Sequence, residues 1–402
     1  MKQLSFKRLL VFIFIIVFVS GAVTGCATTK TGDTSSSGGN NKALLQIADW
    51  KDKYPDVYNS YMSGMHENKD KDGLPHSHVF LRQSLEVRPT FHAETGGGGA
   101  CLVCKTADTK TLYEEYGEDF LSMSYLDFHD KVGDFFSCYI CHEDNPEEKV
   151  GATSVVVRKL AGDYFDKLAP ADAACGQCHN ALSSYIRRVV SAPGDDLDNL
   201  RPYRYGTDAD ALMKAYMEDG GDKLLFEDKD GVKYFLYNNA QHPEVEMFQG
   251  STHQARGLTC ASCHMPKETS AAGEYTNHNS SGSVLKNETA LNYCLTCHKA
   301  QGIESTEAMV TFVKDKQGEL IAMHKDVQNR LDKLHGLIVE GTSDKDVDKK
   351  ARELYIKAKW YKDYSDAGTQ VPGTKAPMGF STMMNYLQRA AEVTNEAIAL
   401  YN

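Results

Sequence analysis

Apolar residues are distributed in three regimes along the chain. Lys2, Lys7 and Arg8 precede an unbroken apolar run, Leu9–Val19, which ends in Val23-Thr24-Gly25-Cys26. That is the layout of an export signal with a lipobox-like end. Thr28–Lys42 is polar and rich in Ser, Gly and Asn, the composition of a flexible tether. From 43 to 300, Gly, Pro and Asn interrupt every apolar stretch, which predicts short helices joined by loops and little regular sheet. Beyond 300 the pattern lengthens. Leu320, His324, Val327, Leu331, Leu334 and Ile338 recur at 4-3-4-3-4 spacing, the seam of one long helix. Asp344–Asp366 reads as a second helix, Gly368–Pro377 as a break, and Ser381–Leu400 as a third helix. The fold class is therefore mainly α, with long C-terminal helices. Such a seam serves either as the core of a capping bundle or as a homodimer interface, and the second is the sharper expectation. His324 and His335 on this helix read as seam or surface residues rather than metal ligands.

The cysteines change the picture. Ten of the eleven form five pairs, and four pairs read C-x-x-C-H: Cys138 and Cys141 with His142, Cys175 and Cys178 with His179, Cys260 and Cys263 with His264, Cys294 and Cys297 with His298. The first pair, Cys101 and Cys104, is followed instead by Lys105. C-x-x-C-H attaches a c-type haem, with two thiols bonding the porphyrin and the adjacent imidazole ligating iron. Chance would supply about 0.01 such runs in a chain of this composition. Disulfides would leave the four histidines unexplained, and zinc ribbons use pairs about 15–20 residues apart, closer than these. Five covalent haems are the expectation. They supply much of the core between them, since little chain remains per haem to build one independently.

Cys26 is the one cysteine outside the pairs, as a lipidated N-terminus after cleavage requires. The expected layout is a signal peptide over 1–25, a lipid anchor and tether over 26–42, a pentahaem catalytic domain over 43–300, and a helical bundle over 301–402. The protein is expected outside the cytoplasm, membrane-anchored and facing the periplasm or cell exterior, where haem is attached. A net charge of −11 argues against nucleic acid or a bare anionic membrane as partner.

A haem with histidine on both faces only moves electrons, and ten histidines outside the motifs suffice for most second faces. Lys105 offers a primary amine, which binds iron when deprotonated and leaves the other face to an anionic or nitrosyl substrate. A drifted, inactive site explains the lysine equally well.

The order of motifs resembles the ammonia-forming pentahaem cytochrome c nitrite reductases. The likeness rests on C-x-x-C-K followed by four C-x-x-C-H motifs, on Cys175-Gly176-Gln177-Cys178-His179, and on Gln241-His242-Pro243-Glu244. His253, Cys263-His264-Met265-Pro266-Lys267 and Tyr275-Thr276-Asn277-His278 extend it, so that it covers roughly residues 45–400. The resemblance implies a mostly helical homodimer that reduces nitrite to ammonium at the lysine-ligated haem. It makes Lys105 the iron ligand there and His242 the pocket histidine that hydrogen-bonds substrate and relays protons. Arg88, with Arg82 as the fallback, becomes the arginine that holds the anion. His78, His253 and His278 become ligands on the second faces of other haems. The implied electron donor is a quinol-oxidising membrane cytochrome or another multihaem cytochrome.

Three departures stand against a simple transfer of function. The family's Glu-Tyr after the third haem histidine is Ala181-Leu182 here, which removes a calcium ligand and a pocket hydroxyl. Asn239 replaces a calcium-coordinating lysine, leaving Gln241 the one recognisable calcium-ligating side chain. Lys375 replaces the histidine before Ala376-Pro377, so one haem is His/Lys ligated, uses Met378 or His129, or is five-coordinate. Tyr185 and the pair Arg187 and Arg188 lie near the altered segment, Tyr185 on a different helix face from Leu182. The expected function is nitrite reduction. The alternatives are reduction of hydroxylamine or a sulfur oxyanion, and electron transfer without catalysis; a haem-based sensor has no supporting motif.

Overall fold

Regular structure is almost entirely helical, and the helices are short where a cysteine pair must be placed and long where none is. The computed structural model describes residues 47–66, 98–124, 127–133, 136–143, 147, 149–182, 185–186, 197–219, 222–227, 233–237, 242–280, 282–366 and 375–402. The expected signal peptide, Cys26 and the tether lie outside the described residues, as do His78, Arg82, Arg88, Arg187, Arg188, Asn239 and Gln241. No described helix is long and apolar enough to cross a membrane.

Residues 44–402 form one compact unit. Its helices run α1 (Pro55–His66), α2 (Gly98–Leu102), α3 (Thr109–Tyr116), α4 (Val155–Ala161), α5 (Pro170–Gly176) and α6 (Ala209–Glu218). A hairpin of β1 (Asp222–Glu227) and β2 (Lys233–Tyr237) precedes α7 (Glu244–Phe248), α8 (Thr252–Ala255) and α9 (Cys260–His264). A second hairpin, β3 (Lys267–Ser270) with β4 (Gly273–Thr276), leads through α10 (Glu288–His298) to three long helices: α11 (Thr306–Glu340), α12 (Lys345–Asp366) and α13 (Ala376–Ala399). The second hairpin pairs Lys267 with Thr276 and Ser270 with Gly273, which delivers His278 just beyond its end.

Local chemistry sets the helix starts. Thr259 and Ser262 form a reciprocal capping box at the fourth cysteine pair, the Ser262 hydroxyl accepting from Thr259 N–H at 3.0 Å. Asn287 caps α10 by accepting from Ala290 N–H at 2.9 Å, and Ser305 caps α11 through Ala308 N–H at 3.1 Å. Pro170 occupies the first turn of α5, where its missing N–H costs nothing. Close approach dictates Gly99 in α2: a Cβ there would stand 1.8 Å from the Phe120 carbonyl oxygen.

The long seam is spent inside the chain. Leu320, Val327, Leu331, Leu334 and Ile338 are each 0–2% exposed in the single chain and share one apolar cluster with residues of α12 and α13 such as Leu354, Ala358, Met383 and Leu387. The homodimer expected across this seam is therefore corrected. Periodicity marks an apolar stripe, and here the chain's own next two helices cover it. His335 packs its ring 6.1 Å from Tyr355. The third helix also starts earlier than expected, at Ala376, because Pro377 falls in the first turn, where proline is compatible with helix. The break in backbone falls instead at Gly379, and a Cβ there would lie 3.1 Å from the Met247 carbonyl oxygen of α7.

The bundle is fastened to α6 by directed bonds. The Trp360 indole N–H donates to Ala209 C=O at 2.7 Å and Tyr364 O–H to Thr207 C=O at 2.9 Å. The Arg389 guanidinium donates to Asp210 at 2.7 Å and Ala209 N–H to the Tyr386 hydroxyl at 3.2 Å. One apolar cluster accordingly runs from Leu102 to Ala397. Leu334, at 0% exposure, sits within it. Leu334→Ala should lower stability by about 2–5 kcal/mol in denaturant titrations, with secondary structure retained below the midpoint.

Candidate active site

No disulfide joins the nine cysteines whose side chains are described; Cys101 has its backbone in α2. Their positions draw the five pairs into one array. Cys104 Sγ lies 3.4 Å from Gln177 C=O and Cys178 Sγ 3.2 Å from Cys104 C=O, so the first and third pairs abut. Cys175 and Cys260 are within hydrogen-bonding reach, Cys141 lies close enough to Cys175 to feel its charge, and Cys263 likewise feels Cys294. The attachment points thus run first, third, fourth, fifth, with the second beside the third.

The third motif holds this array together. Gln177, 1% exposed, accepts through Oε1 from Thr153 N–H and Ser154 N–H, both at 2.9 Å. Its Nε2 donates to Ile140 C=O of the second motif and to Ala174 C=O at 3.0 Å. Asp172, also buried, accepts from Cys260 N–H at 2.8 Å and so anchors the start of the fourth motif. Gly176 is required by contact: a Cβ there would come within 2.9 Å of Val245 Cγ2 and 3.0 Å of Phe165 Cε1. Val245 N–H in turn donates to His179 C=O at 3.0 Å, which pins α7 to the third haem histidine.

The histidines test whether the residues fit haem. An imidazole nitrogen lies about 1.1 Å from its ring centre and bonds a first-row metal at about 2.0–2.1 Å, so two rings facing each other across one ion stand about 6.3 Å apart. His142 and His278 have centroids 6.4 Å apart with planes 25° apart, and His298 and His253 are 6.2 Å apart. Each pair joins a C-x-x-C-H histidine to one of the ligands implied by resemblance. Nδ1 of His278 lies 2.8 Å from Thr276 C=O and Nδ1 of His253 2.8 Å from Pro377 C=O. A carbonyl only accepts, so Nδ1 carries the proton and Nε2 keeps the lone pair that binds a metal. Nδ1 of His298 is similarly placed on Gln301 Oε1 at 3.1 Å. Burial lowers the pKa of His142, His179, His264 and His278, which favours the neutral, ligating form. His264 opens on a recess lined by Cys263, Pro266, Asn279, Val284 and Lys286. The donor set fits bis-histidine haem at the second and fifth motifs.

The pocket residues gather where the first and third motifs meet. Lys105 and His179 both bear electrostatically on the Cys104 thiol between them. The rings of His179 and His242 meet edge to face with centroids 5.9 Å apart. Perpendicular rings do not share one iron here, because both Nδ1 atoms are turned 3.3 Å from the same oxygen, Glu244 Oε1. Lys375 Nζ contacts that oxygen too. Burial by itself would push the Lys375 ammonium down to about 7, and the Glu244 carboxylate in contact with it acts the other way and keeps the charged form. His242 has φ +60°, a left-handed conformation worth about 1–2 kcal/mol of strain in a residue with a Cβ.

The altered segment after His179 is closed rather than pocket-lining. Leu182 is 0% exposed, so the apolar side chain that replaces the family's tyrosine belongs to the core. Tyr185 is buried against Tyr216, with ring centroids 5.3 Å apart, and supplies no substitute hydroxyl. Ala181 N–H is taken by Glu246 Oε1 at 2.9 Å, which also accepts from the Tyr203 hydroxyl at 2.5 Å. The sequence pointed to His242, His253, His278 and Lys105. It assigned no role to Glu244, Gln177, Asp172 or Glu246, although the first two stand inside the quoted motifs.

Two expectations follow from this packing. Gln177→Leu strands two backbone donors and one motif carbonyl in a buried position, each costing about 1–3 kcal/mol, so denaturant midpoints should fall by the equivalent of about 3 kcal/mol or more. Burial pushes the Glu246 carboxyl up from 4.5 to about 7, against the hydrogen bonds from Ala181 and Tyr203. Its folded value stands above the unfolded one. The associated stability, about 3 kcal/mol, is therefore complete below pH ~4.5 and lost as pH rises through ~7. Unfolding measured across that window should show this slope, and Glu246→Gln should flatten it.

Comparison with known proteins agrees with this geometry. The family model for cytochrome c552 matches residues 74–400. The cytochrome c-552 of Maridesulfovibrio salexigens is 26% identical over 345 residues, covering 80% of this chain and 65% of that protein. The match thus spans slightly less than two thirds of the curated relative. The catalytic subunit of cytochrome c nitrite reductase from Desulfovibrio desulfuricans ATCC 27774 superposes with a TM-score of 0.62 over 89% of this chain and 86% of that one, at 18% identity. At that identity the superposition speaks to the fold, a mainly helical multihaem cytochrome with long C-terminal helices. With most of its length matched by the family model, the chain belongs to the cytochrome c552 family as a divergent member, and c-type haem is its cofactor.

Proposed function

We propose that the protein is an exported, lipid-anchored pentahaem enzyme that reduces nitrite to ammonium. The observation that carries this reading is Lys105 in the histidine position of the first motif, at the junction with the third motif and His242. Cys101, Cys104 and Lys105 would hold the haem that supplies electrons and an open coordination position to the substrate. Everything else is done by the chain. The Lys105 amine has to be neutral to bind iron, since the lone pair is the ligand.

His242 is the proton carrier of this reading. Its Nδ1–H is engaged by Glu244, so its Nε2 accepts a proton from solvent and donates it to a substrate oxygen. The Glu244 carboxylate stabilises the imidazolium in between. Arg88 is the expected anion clamp, and its charge opposes the −11 of the whole chain locally. Nitrite takes up six electrons and eight protons to give ammonium and two waters, and an array of five haems ordered towards Lys105 suits the electron demand. Electrons would come from a quinol-oxidising membrane cytochrome or another multihaem protein. Pairing of two copies belongs to the same proposal and uses a face of the bundle other than its seam. A calcium ion at Gln241 has little further support, since Ala181 offers no carboxylate.

One observation favours a second reading. Burial of Leu182 and Tyr185 leaves the site without the phenol that the family places there, which suits an electron-transfer protein that has lost turnover. Mixing nitrite or hydroxylamine with the reduced protein and following reoxidation of the haem α-band separates the two. The enzyme reading expects reoxidation with ammonium as product, one high-spin haem that binds cyanide, and about a 10²–10⁴-fold loss of rate in His242→Ala. Five low-spin haems inert to added ligand would establish the electron-transfer reading instead.

A further inference from the structure

A buried carboxylate needs a reason, and Glu244 has an unusual set of neighbours. It is 1% exposed, and one of its oxygens, Oε1, meets Nδ1 of His179 at 3.3 Å, Nδ1 of His242 at 3.3 Å, and the Lys375 ammonium. His179 is the iron-binding histidine of the third motif, and His242 is the pocket histidine. One atom therefore touches both a haem ligand and the proton carrier.

We propose that Glu244 is a positioning residue that couples the third haem to the substrate pocket, with Lys375 as its fixed counter-charge. The part concerning His242 rests on the nitrite-reductase reading; the part concerning His179 does not. A carboxylate that accepts from the outer nitrogen of a ligating imidazole fixes the ring and makes it a more basic donor. A more basic donor favours the ferric state, so the third haem is held at a lower potential than an imidazole bonded to a neutral acceptor would give. The same carboxylate sets which way His242 faces, because Nδ1–H is turned inwards and Nε2 outwards.

The geometry is built for this. His242 and Glu244 are only two residues apart and would face different ways in a regular helix. The left-handed backbone at His242, φ +60°, turns its ring back onto the carboxylate, and this gives the local strain a purpose. Val245 N–H on His179 C=O and the contact of Val245 with Gly176 hold α7 against the third motif, so the triad cannot drift. Lys375 reaches the carboxylate because the break at Gly379 lays the start of α13 on Met247.

Two other roles fit less well. The ligand atoms of His179, His242 and Glu244 lie within 4.8 Å of one another, a spacing that suits a metal ion. The Lys375 ammonium already supplies the cation there. Lys375 as an iron ligand in place of the family's histidine is the other role. It would require the amine to leave the carboxylate on the Nδ1 side of His179, and doing so would strip a buried charge of its partner.

The test is a spectroelectrochemical titration of the holoprotein, without nitrite. Glu244→Gln keeps an acceptor and removes the charge. Glu244→Gln/Lys375→Met removes both halves of the ion pair and so leaves no lone buried charge to unfold the protein. Both should move one haem transition to higher potential and leave the others in place, and Glu244→Asp should restore most of the shift. Where the protein reduces nitrite, Glu244→Gln should also lower kcat about 10–100-fold with a smaller change in KM. Unmoved haem potentials in both Gln variants would overturn the proposal. So would a new high-spin haem in Lys375→Met, since that would place the lysine on iron. Because the potentials are read without substrate, an absence of nitrite turnover would count against the proposed function alone.

Discussion

The structure depends on one buried amide. Gln177 lies between the two cysteines of the third motif and is the point at which three stretches of chain agree on their positions. Through its side chain it fixes the peptide ahead of α4 and the carbonyl of Ile140 in the second motif; its own carbonyl lies 3.4 Å from the sulfur of Cys104 in the first. A buried amide has two donors and two acceptor sites, and its worth comes from the cost of leaving any partner unmet. Asp172, one turn earlier, extends the same logic to the fourth motif. Covalent cofactors spaced for electron transfer need attachment points fixed relative to one another. A protein with few long helices in this region achieves that by adding directed polar contacts to its apolar core.

The C-terminal helices act on the site as well as capping it. Their apolar stripe is closed within the chain, and their polar contacts seize the start of α6. The first turn of α13 then reaches back to α7, where Gly379 allows backbone to approach backbone. Lys375 is carried to Glu244 by that approach, and His253 receives the Pro377 carbonyl on its Nδ1 from the same turn. One turn of helix thus bears on both the third and the fifth haem histidines.

Much of this was legible in the sequence, for identifiable reasons. The C-x-x-C-H motifs are read directly because attachment chemistry needs its residues adjacent. The long helices announce themselves by spacing, and the histidines at 253 and 278 by local resemblance. What was not legible was whatever depends on the partner across space. The 4-3 stripe of α11 shows that something covers it, and only packing shows that the cover is α12 and α13. Leu182 read as a pocket wall with a missing hydroxyl, yet it is core, because its surroundings are set by segments far away in sequence. Glu244 stood in plain view in Gln-His-Pro-Glu, but two residues' separation from His242 gives no hint of contact unless the backbone between them is left-handed.

The contact between Cys104 and Cys178 bears on how the protein is made. In the folded chain these two sulfurs face backbone carbonyls across the junction of two motifs, at 3.4 and 3.2 Å. Sulfurs so placed are enclosed, out of reach of an enzyme that must bond each of them to a vinyl group. The geometry calls for the porphyrins at this junction to be joined before the first and third motifs close on one another.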